Sequence, residues 1–206
     1  IDPRYGSAIV ELTGKREHTE ATLTASEQIA GEVINEGDRI RVYVVEVRRG
    51  GKGPQIMLSR THPGLVKRLF ELEVPEISDG TVVVQSMARE AGSRTKIAVW
   101  SNDENVDPIG ACVGPKGGRV AAVVNELNGE KIDIVRWNAD VKHYVAQALA
   151  PAKLESVEVD PDGGNTVHVT VAPDQYSLAI GKRGQNVRLT SKLTGWHVDV
   201  TKSIAL

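Results

Sequence analysis

Two glycine-framed turns with matching flanks are the feature that most constrains the fold of this 206-residue chain. The turns are Gly114–Gly117, with the sequence Gly-Pro-Lys-Gly, and Gly181–Gly184, with the sequence Gly-Lys-Arg-Gly. An apolar run precedes each turn and a polar, helix-like run follows it. A later glycine, Gly129 or Gly195, then comes shortly before an apolar-Asp-apolar triplet. One Gly-x-x-Gly is weak evidence because glycine is common in turns, but two copies with the same flanks predict an internal repeat.

The residue types in these turns suit contact with a nucleic-acid backbone. Glycine has no side chain to hold a phosphodiester chain away. The helix that begins at each turn directs unpaired amide N–H groups and the positive end of its dipole at incoming phosphates. Lys116, Lys182 and Arg183 add mobile positive charge. The alternative is a pair of helix C-caps followed by solvated charges, but the repeated flanks favour the binding interpretation.

The repeat extends over residues 61–206 and predicts the order helix, strand, strand, helix, helix, strand, twice. Apolar residues recur at helical spacing in Leu65–Leu72 and Val141–Leu149, and a proline follows each run. The strands predicted between each proline and its glycine turn are Thr81–Met87, Thr95–Trp100, Leu154–Val159 and Thr166–Val171.

Residues 1–60 have a different pattern, with short β-type runs, Gly-rich turns and no helical period. The segment Gly37–Val44 alternates polar and apolar residues, as a half-buried barrel strand does. These features predict a small OB-type barrel, a fold that often binds oligonucleotides. No Gly/Ser-rich spacer follows Arg60, so we expect the barrel to pack on the helix that starts near Pro63. The predicted strands are Ala8–Leu12, Glu20–Leu23, Arg39–Val47 and Gln55–Leu58.

The connection between the two repeats is short. The final strand of the first repeat, Lys131–Val135, is separated by a few residues and no glycine from a helix beginning near Asp140. Such a connection does not permit free reorientation, so we expect the repeats to form one continuous surface. The residues predicted at their interface are Trp137, Val141, Tyr144, Val145 and Leu149.

Composition narrows the function classes. The net charge of −2 leaves no diffuse basic field, so affinity for nucleic acid must come from locally placed cations and backbone amides. The single cysteine, Cys112, excludes an internal disulfide and is expected to be an apolar filler. The histidines have no metal-ligand spacing, and Walker, dinucleotide and nucleophile-elbow motifs are absent from the sequence. We expect a cytoplasmic protein with no membrane segment, no catalytic residue, no metal and no cofactor.

Other side chains have two interpretations. Trp100, Trp137 and Trp196 could stack on bases, but their positions near strand ends favour packing. Arg119, Asn186 and Arg188 follow the turns at helical positions and are expected to point towards RNA. A basic cluster in the barrel is equally compatible with an RNA face and with a solvated edge; its members are Arg39, Arg41, Arg48, Arg49 and Lys52.

Residues 109–120 and 178–188 resemble the cores of KH domains of the bacterial, type II arrangement, and Gly37–Val44 with Ile56–Arg60 resembles the end of an S1-type barrel. The order barrel, KH, KH is similar to that of the NusA family of bacterial transcription factors. The stretches that carry this resemblance are Leu58–Pro63, Phe70–Ile77, Ala88–Gly92 and Leu149–Lys153. The barrel's usual first strand is missing before Ile1, which makes RNA binding by the barrel less secure than binding by the KH cores.

The resemblance implies an α+β multidomain fold: a partial S1-type OB β-barrel at 1–60, and two type II KH domains (α-β-β-α-α-β) at 61–138 and 139–206. It implies a monomer that binds single-stranded nascent RNA and works with RNA polymerase and other antitermination factors in pausing, termination and antitermination. The RNA-binding residues expected on this basis are Gly114, Pro115, Lys116, Gly117, Arg119, Gly181, Lys182, Arg183, Gly184, Gln185, Asn186 and Arg188.

Two rival functions share these modules. The RNA-tethering part of a phosphorolytic exoribonuclease also uses KH and S1-type modules, but it has a single KH domain placed before the barrel. A ribosome-associated protein with one type II KH domain is disfavoured by the tandem. Pro115 also removes one backbone amide that a phosphate could use, so we expect the first turn to bind less strongly than the second.

Overall fold

The computed structural model describes residues 1–2, 4–14 and 18–204. Its strands form three sheets, one in residues 1–60 (the barrel unit), one in residues 61–138 (the first repeat unit) and one in residues 139–206 (the second repeat unit). The α+β class expected from the sequence is confirmed by this arrangement.

The barrel unit is a four-stranded sheet of order β1-β2-β4-β3 with an apolar core that includes Leu23 and Leu58. Within the described residues, β1 and β3 are edge strands, and β2 meets β4 through the single parallel pair Thr22↔Met57. The sheet is therefore open, as an incomplete barrel would be. The strands are β1 (Ala8–Leu12), β2 (Thr19–Leu23), β3 (Tyr43–Gly50) and β4 (Gly53–Ser59).

The strand predicted at Arg39–Val47 begins four residues later, at Tyr43. Ile40 and Val42 still pack against the barrel core, which explains the alternating pattern. The backbone of Arg41, however, bonds to side chains: its N–H donates to Glu126 and its C=O accepts from Arg60. Because these groups are satisfied by side chains instead of a strand ladder, this part of the segment does not belong to the sheet.

The first repeat unit has the predicted element order with one addition. Helix α1 (Pro63–Glu73) begins after His62, whose ring accepts a hydrogen bond from the Gly64 N–H, and ends at Val74 before Pro75. The residues from Pro75 form a short extra helix, α2, where the sequence suggested a direct approach to strand. The elements that follow are α2 (Pro75–Ser78), β5 (Val82–Glu90), β6 (Arg94–Ser101), α3 (Pro108–Val113), α4 (Gly118–Glu126) and β7 (Lys131–Arg136).

The second repeat unit has the predicted order without the extra helix, and in both units the middle strand pairs antiparallel with the strand before it and parallel with the last strand. The sheet orders are accordingly β5-β6-β7 and β8-β9-β10. This shared topology confirms the internal repeat. The elements of the second unit are α5 (Val141–Ala148), β8 (Ser156–Val159), β9 (Thr166–Val171), α6 (Tyr176–Ile180), α7 (Gln185–Thr194) and β10 (His197–Lys202).

Arg60 joins the barrel unit to the first repeat unit. Its side chain is 1% exposed, forms a bidentate pair with Glu32 and donates to the C=O groups of Arg41 and Glu126. Ile29 packs into the core of the first repeat unit, and Tyr43 stacks on His62 with ring centroids 4.7 Å apart. The expected packing of the barrel on the region of α1 is confirmed by these contacts.

An apolar cluster joins the two repeat units. Ala88, Ala98 and Val135 on one face of the first sheet meet Tyr144 and the α7 residues Leu189 and Leu193, and Trp137 packs against them. Of the predicted interface residues, Trp137 and Tyr144 lie here. The prediction was wrong for Val141, Val145 and Leu149, which pack in the second unit's own core. The error arose because helix α5 buries one face in the core of its own unit and another face against the first unit. The spacing of apolar residues in the sequence does not show which face meets which partner.

The first repeat unit also contains a buried ion pair. The side chains of Arg89 and Glu130 are both 0% exposed. Glu130 accepts hydrogen bonds from Arg89, from the Gly92 N–H (2.6 Å) and from the Thr95 hydroxyl (2.8 Å). In the same unit, burial raises the pKa of the Cys112 thiol to about 12, in agreement with its expected role as a filler.

We expect Glu130→Ala to lower the free energy of unfolding by about 3–5 kcal/mol, because it leaves the Arg89 guanidinium buried without a counter-charge. The matched control is Glu158→Ala, which breaks an exposed ion pair with Lys142 and should cost less than about 1 kcal/mol. Urea unfolding measures both. Equal costs for the two variants would show that the Arg89–Glu130 pair does not stabilise the fold.

Candidate nucleic-acid interface

The two glycine turns have the same backbone conformation. Gly114 has φ 74° and ψ 175°, and Gly181 has φ 75° and ψ 171°. Side-chain-bearing residues essentially never adopt this combination. A Cβ on Gly181 would also lie 2.8 Å from the backbone nitrogen of Asn186. The first glycine of each turn is therefore required by both dihedral angles and space.

The centre of each turn presents its charged side chains to solvent. Lys116 (φ 53°) and Arg183 (φ 54°) occupy the left-handed region, which non-glycine residues rarely adopt. Pro115, Lys116, Lys182 and Arg183 are all exposed. The side chains of Lys116, Lys182 and Arg183 have no hydrogen-bond or ion-pair partner among the residues that the structure describes.

The last glycine of each turn is the N-cap of the next helix. Gly117 precedes α4 and Gly184 precedes α7, both with φ 73°. At neither N-cap does a side chain of the described residues accept a hydrogen bond from the first helical turn. The N–H of the first helical residue, Gly118 or Gln185, donates to the C=O of Pro115 or Lys182 in the turn. Donation to an external acceptor therefore falls to the N–H groups that follow in the first helical turn.

The fifth residue after the first glycine ties each turn to the preceding helix. In the first repeat unit Arg119 donates to the C=O of Ala111 (2.7 Å) and pairs with Glu76 (2.8 Å). In the second, the Asn186 amide donates to the C=O of Ala179 (3.0 Å), and Asn186 is only 4% exposed. Asn186 thus lies inside its unit, not on the expected outer surface, and any role in RNA binding stays a prediction.

Gln185 and Arg188, predicted to face RNA, contact the first repeat unit. The Gln185 amide donates to Glu90 (2.8 Å) and to the Ser93 hydroxyl (2.7 Å). The Arg188 guanidinium donates to Glu90 (2.5 Å) and to the C=O of Arg183 (2.9 Å). Its hydrogen bond lowers the pKa of the Glu90 carboxyl, which is therefore ionised at neutral pH.

The surroundings of the two turns differ in charge. Carboxylates lie beside the first turn: Asp107 caps α3 and pairs with Arg136, and Glu76 pairs with Arg119. The second turn lines a cleft of about 450 Å³ to which Lys131 of the first repeat unit adds positive charge; Arg94 also lines this cleft but is paired with Asp133. The second turn therefore has the more cationic environment.

The tryptophans mainly pack. Trp137 packs on the apolar cluster between the repeat units, and Trp196 packs on the core of the second unit. Trp100 is 39% exposed and makes an edge-to-face contact with Trp137, with centroids 5.7 Å apart. In the barrel unit, the side chain of Arg48 pairs with Glu46 at the exposed edge, which favours the solvated-edge interpretation for that residue.

Over the described ranges, no group of three or more His, Cys, Asp or Glu residues is placed to hold a metal ion. A search of the same residues found no helix that is both long and apolar enough to span a membrane.

Apart from the extra helix α2 in the first, each repeat unit has the order α-β-β-α-α-β, with a three-stranded sheet and a glycine-framed turn between its two consecutive helices. Two such units in tandem define this chain as a tandem type II KH protein. Residues 60–137 match the NusA-like first KH domain family, and residues 141–205 match the NusA-like second KH domain family. The chain belongs to the NusA family.

Two curated relatives carry the name Transcription termination/antitermination protein NusA. The one from Halalkalibacterium halodurans is 60% identical over 181 residues, which cover 88% of this chain and 47% of the relative. The one from Bacillus subtilis is 58% identical over 182 residues, with coverage of 88% and 48%. This chain thus spans about half the length of these relatives. A solved structure described as "Crystal structure of APE1850" aligns at 24% identity with a TM-score of 0.48, covering 66% of this chain and 96% of that one.

Sequence reasoning missed the residues that hold the second turn in place from outside its unit. Glu90 and Ser93 are 95 and 92 positions from Gln185, and Glu90 is 98 positions from Arg188. Contacts at such separations leave no local pattern. The only signal available was the position of Glu90 and Ser93 between the predicted strands Thr81–Met87 and Thr95–Trp100.

We expect Gly181→Ala to destabilise the second repeat unit by about 3 kcal/mol or more, because the Cβ meets Asn186 and the dihedral angles suit only glycine. Gly184→Ala should cost about 1 kcal/mol, since its left-handed conformation is less restrictive and its Cβ would have only an ordinary contact with Arg188. Chemical denaturation followed by circular dichroism measures the difference. Equal costs would contradict the steric requirement at Gly181.

Proposed function

We propose that this chain binds single-stranded RNA through both glycine turns. The observation that carries the proposal is the near-identity of the turns: matching φ and ψ values, exposed cations at the centre and a helix start without a side-chain cap. In KH domains such a turn contacts the backbone of about four nucleotides while an adjacent groove receives the bases.

The binding energy comes from local contacts. With a net charge of −2, the chain as a whole does not attract RNA over long distances. Backbone N–H groups at the starts of α4 and α7 donate to phosphate oxygens, and the exposed cations release counterions when they pair with phosphates. Binding should therefore weaken with salt, with a slope that reports the few phosphates contacted.

The second turn is the stronger of the two sites in this proposal. It has two exposed cations, Lys182 and Arg183, and Lys182 retains the amide that Pro115 lacks at the same position of the first turn. Lys131 adds positive charge beside it, while Arg94 is paired with Asp133; the carboxylates Glu76 and Asp107 that line the cleft at the first turn are each paired with an arginine.

The apolar contact between the repeat units supports binding of one extended strand. Because Leu189 and Leu193 are buried against the first sheet, the turns are held at a fixed separation. Once one turn has bound, the other binds the same strand intramolecularly and loses little further entropy. The RNA must then be unpaired over more than the roughly eight nucleotides that two independent sites would cover.

The wider role follows from the relatives' name. We infer that the chain contacts nascent RNA at RNA polymerase, together with other antitermination factors, and influences pausing, termination and antitermination. It acts as a monomeric, cytoplasmic, non-catalytic binding protein whose functional domains are residues 1–60, 61–138 and 139–206. Incubation with RNA and phosphate tests the non-catalytic part: nucleotide release would indicate a phosphorolytic enzyme instead.

The double variant Lys182→Asp/Arg183→Asp should weaken binding of a long unstructured RNA by about 3 kcal/mol, roughly a hundredfold or more in Kd, because carboxylates replace cations where phosphates lie. Folding should be little affected, since both side chains are exposed. Fluorescence anisotropy at fixed salt measures the affinity.

The matched variant Pro115→Asp/Lys116→Asp should cost less, because only one cation is reversed and no amide is present at Pro115. Lys142→Asp, at an exposed site on α5, controls for the general loss of positive charge. Unchanged affinity in the Lys182/Arg183 variant would refute RNA binding through the second turn.

A further inference from the structure

A carboxylate of the first repeat unit lies close to the cationic turn of the second. Glu90 is the last residue of β5, and both of its oxygens are bonded to α7: one accepts from Arg188 at 2.5 Å and the other from Gln185 at 2.8 Å. A negative charge close to a phosphate-binding turn opposes RNA binding through its charge alone.

The contacts of Arg188 continue into the turn. Its Nε donates to Glu90, while its Nη1 donates 2.9 Å to the C=O of Arg183. Arg183 is the residue held in the left-handed conformation at the turn centre. A continuous set of hydrogen bonds therefore runs from the first sheet, through Glu90 and Arg188, to the backbone of the turn.

The first turn serves as an internal comparison. The residue seven positions after its first glycine is Ala121, in place of Arg188, and Gly118 stands in place of Gln185. Neither residue has a side chain that could make these contacts. The Glu90 contacts are thus specific to the second turn, which is also the turn that faces the other repeat unit.

We propose that Glu90 is a positioning residue: from the first repeat unit it fixes the conformation of the second unit's glycine turn and thereby raises RNA affinity. The proposal rests on the RNA binding proposed above. Glu90 does not touch RNA. It holds Arg188, which in turn holds the Arg183 backbone, and the cations and helix amides then meet the phosphates without further ordering.

The sign of the effect distinguishes this role from simple electrostatics. Removal of a carboxylate near the phosphates should raise RNA affinity if charge alone acts. Loss of positioning should lower it. Glu90→Ala is therefore expected to weaken binding of a long single-stranded RNA about three- to tenfold, within the range that coupling residues show. Glu90→Gln keeps one acceptor for Arg188 and should restore part of the affinity.

The same experiment is repeated in the Lys182→Asp/Arg183→Asp background. If Glu90 acts through the second turn, Glu90→Ala should have no further effect there. A merely structural loss would lower affinity equally in both backgrounds. Glu158→Ala, which removes an exposed carboxylate of the second unit, should leave affinity unchanged or slightly raised. Urea unfolding of each variant reports whether the fold is retained.

The outcomes separate the two proposals. Unchanged or increased affinity in Glu90→Ala, with the Lys182/Arg183 variant still weakened, overturns the positioning role and leaves RNA binding intact. An equal loss in both backgrounds also overturns it. Unchanged affinity in the Lys182/Arg183 variant refutes the proposed function itself. If Glu90→Ala does not fold, Glu90→Gln and Arg188→Lys replace it. Their RNA affinities are then compared, in direction and size, with and without the Lys182→Asp/Arg183→Asp change.

Discussion

The burial of α7 against the first sheet is the contact on which the proposed RNA surface depends. Leu189 and Leu193 lie at 0% and 2% exposure on Ala88, Ala98 and Val135. Since apolar burial contributes about 25 cal/mol per Å² and carries no direction of its own, hydrogen bonds must set the relative orientation. The Ser86 hydroxyl of the first repeat unit donates to the C=O of Leu193 in the second and supplies that direction, while the Tyr144 hydroxyl bonds the same C=O from within the second unit. The second turn is therefore part of an inter-unit structure.

The two glycine turns share one backbone conformation but are stabilised by different side chains. Glycine at the first position permits the dihedral angles, and the fifth residue bonds back to the helix that precedes the turn. Arginine makes that bond in the first repeat unit and asparagine in the second. Arg119 needs Glu76 beside it, whereas the neutral Asn186 needs no counter-charge. Glu76 and Asp107 lie beside the first turn, whereas Lys131 and the Arg188–Glu90 pair lie beside the second, which supports unequal contributions to RNA binding.

Two buried ion pairs stabilise the geometry around the first repeat unit. Arg60, paired with Glu32 inside the barrel unit, donates to the C=O of Glu126 in the first repeat unit, and Arg89 pairs with Glu130, which holds the loop around Gly92. Such pairs contribute geometry more than net stability, because desolvation offsets much of their attraction. Through its contact with Glu126, Arg60 helps to hold the barrel unit against the first repeat unit.

The sequence by itself determined the repeat, the glycine turns and the order of helices and strands along the repeats, because these depend on local backbone preference and on periods of two and 3.6 residues. It also identified Lys116, Lys182 and Arg183 as exposed cations. Only the tertiary structure decided that Asn186 is buried, that Arg188 and Gln185 bond Glu90, and that residues 39–42 lie outside the barrel strands. These outcomes depend on which distant surface covers a side chain, and local sequence does not encode that partner.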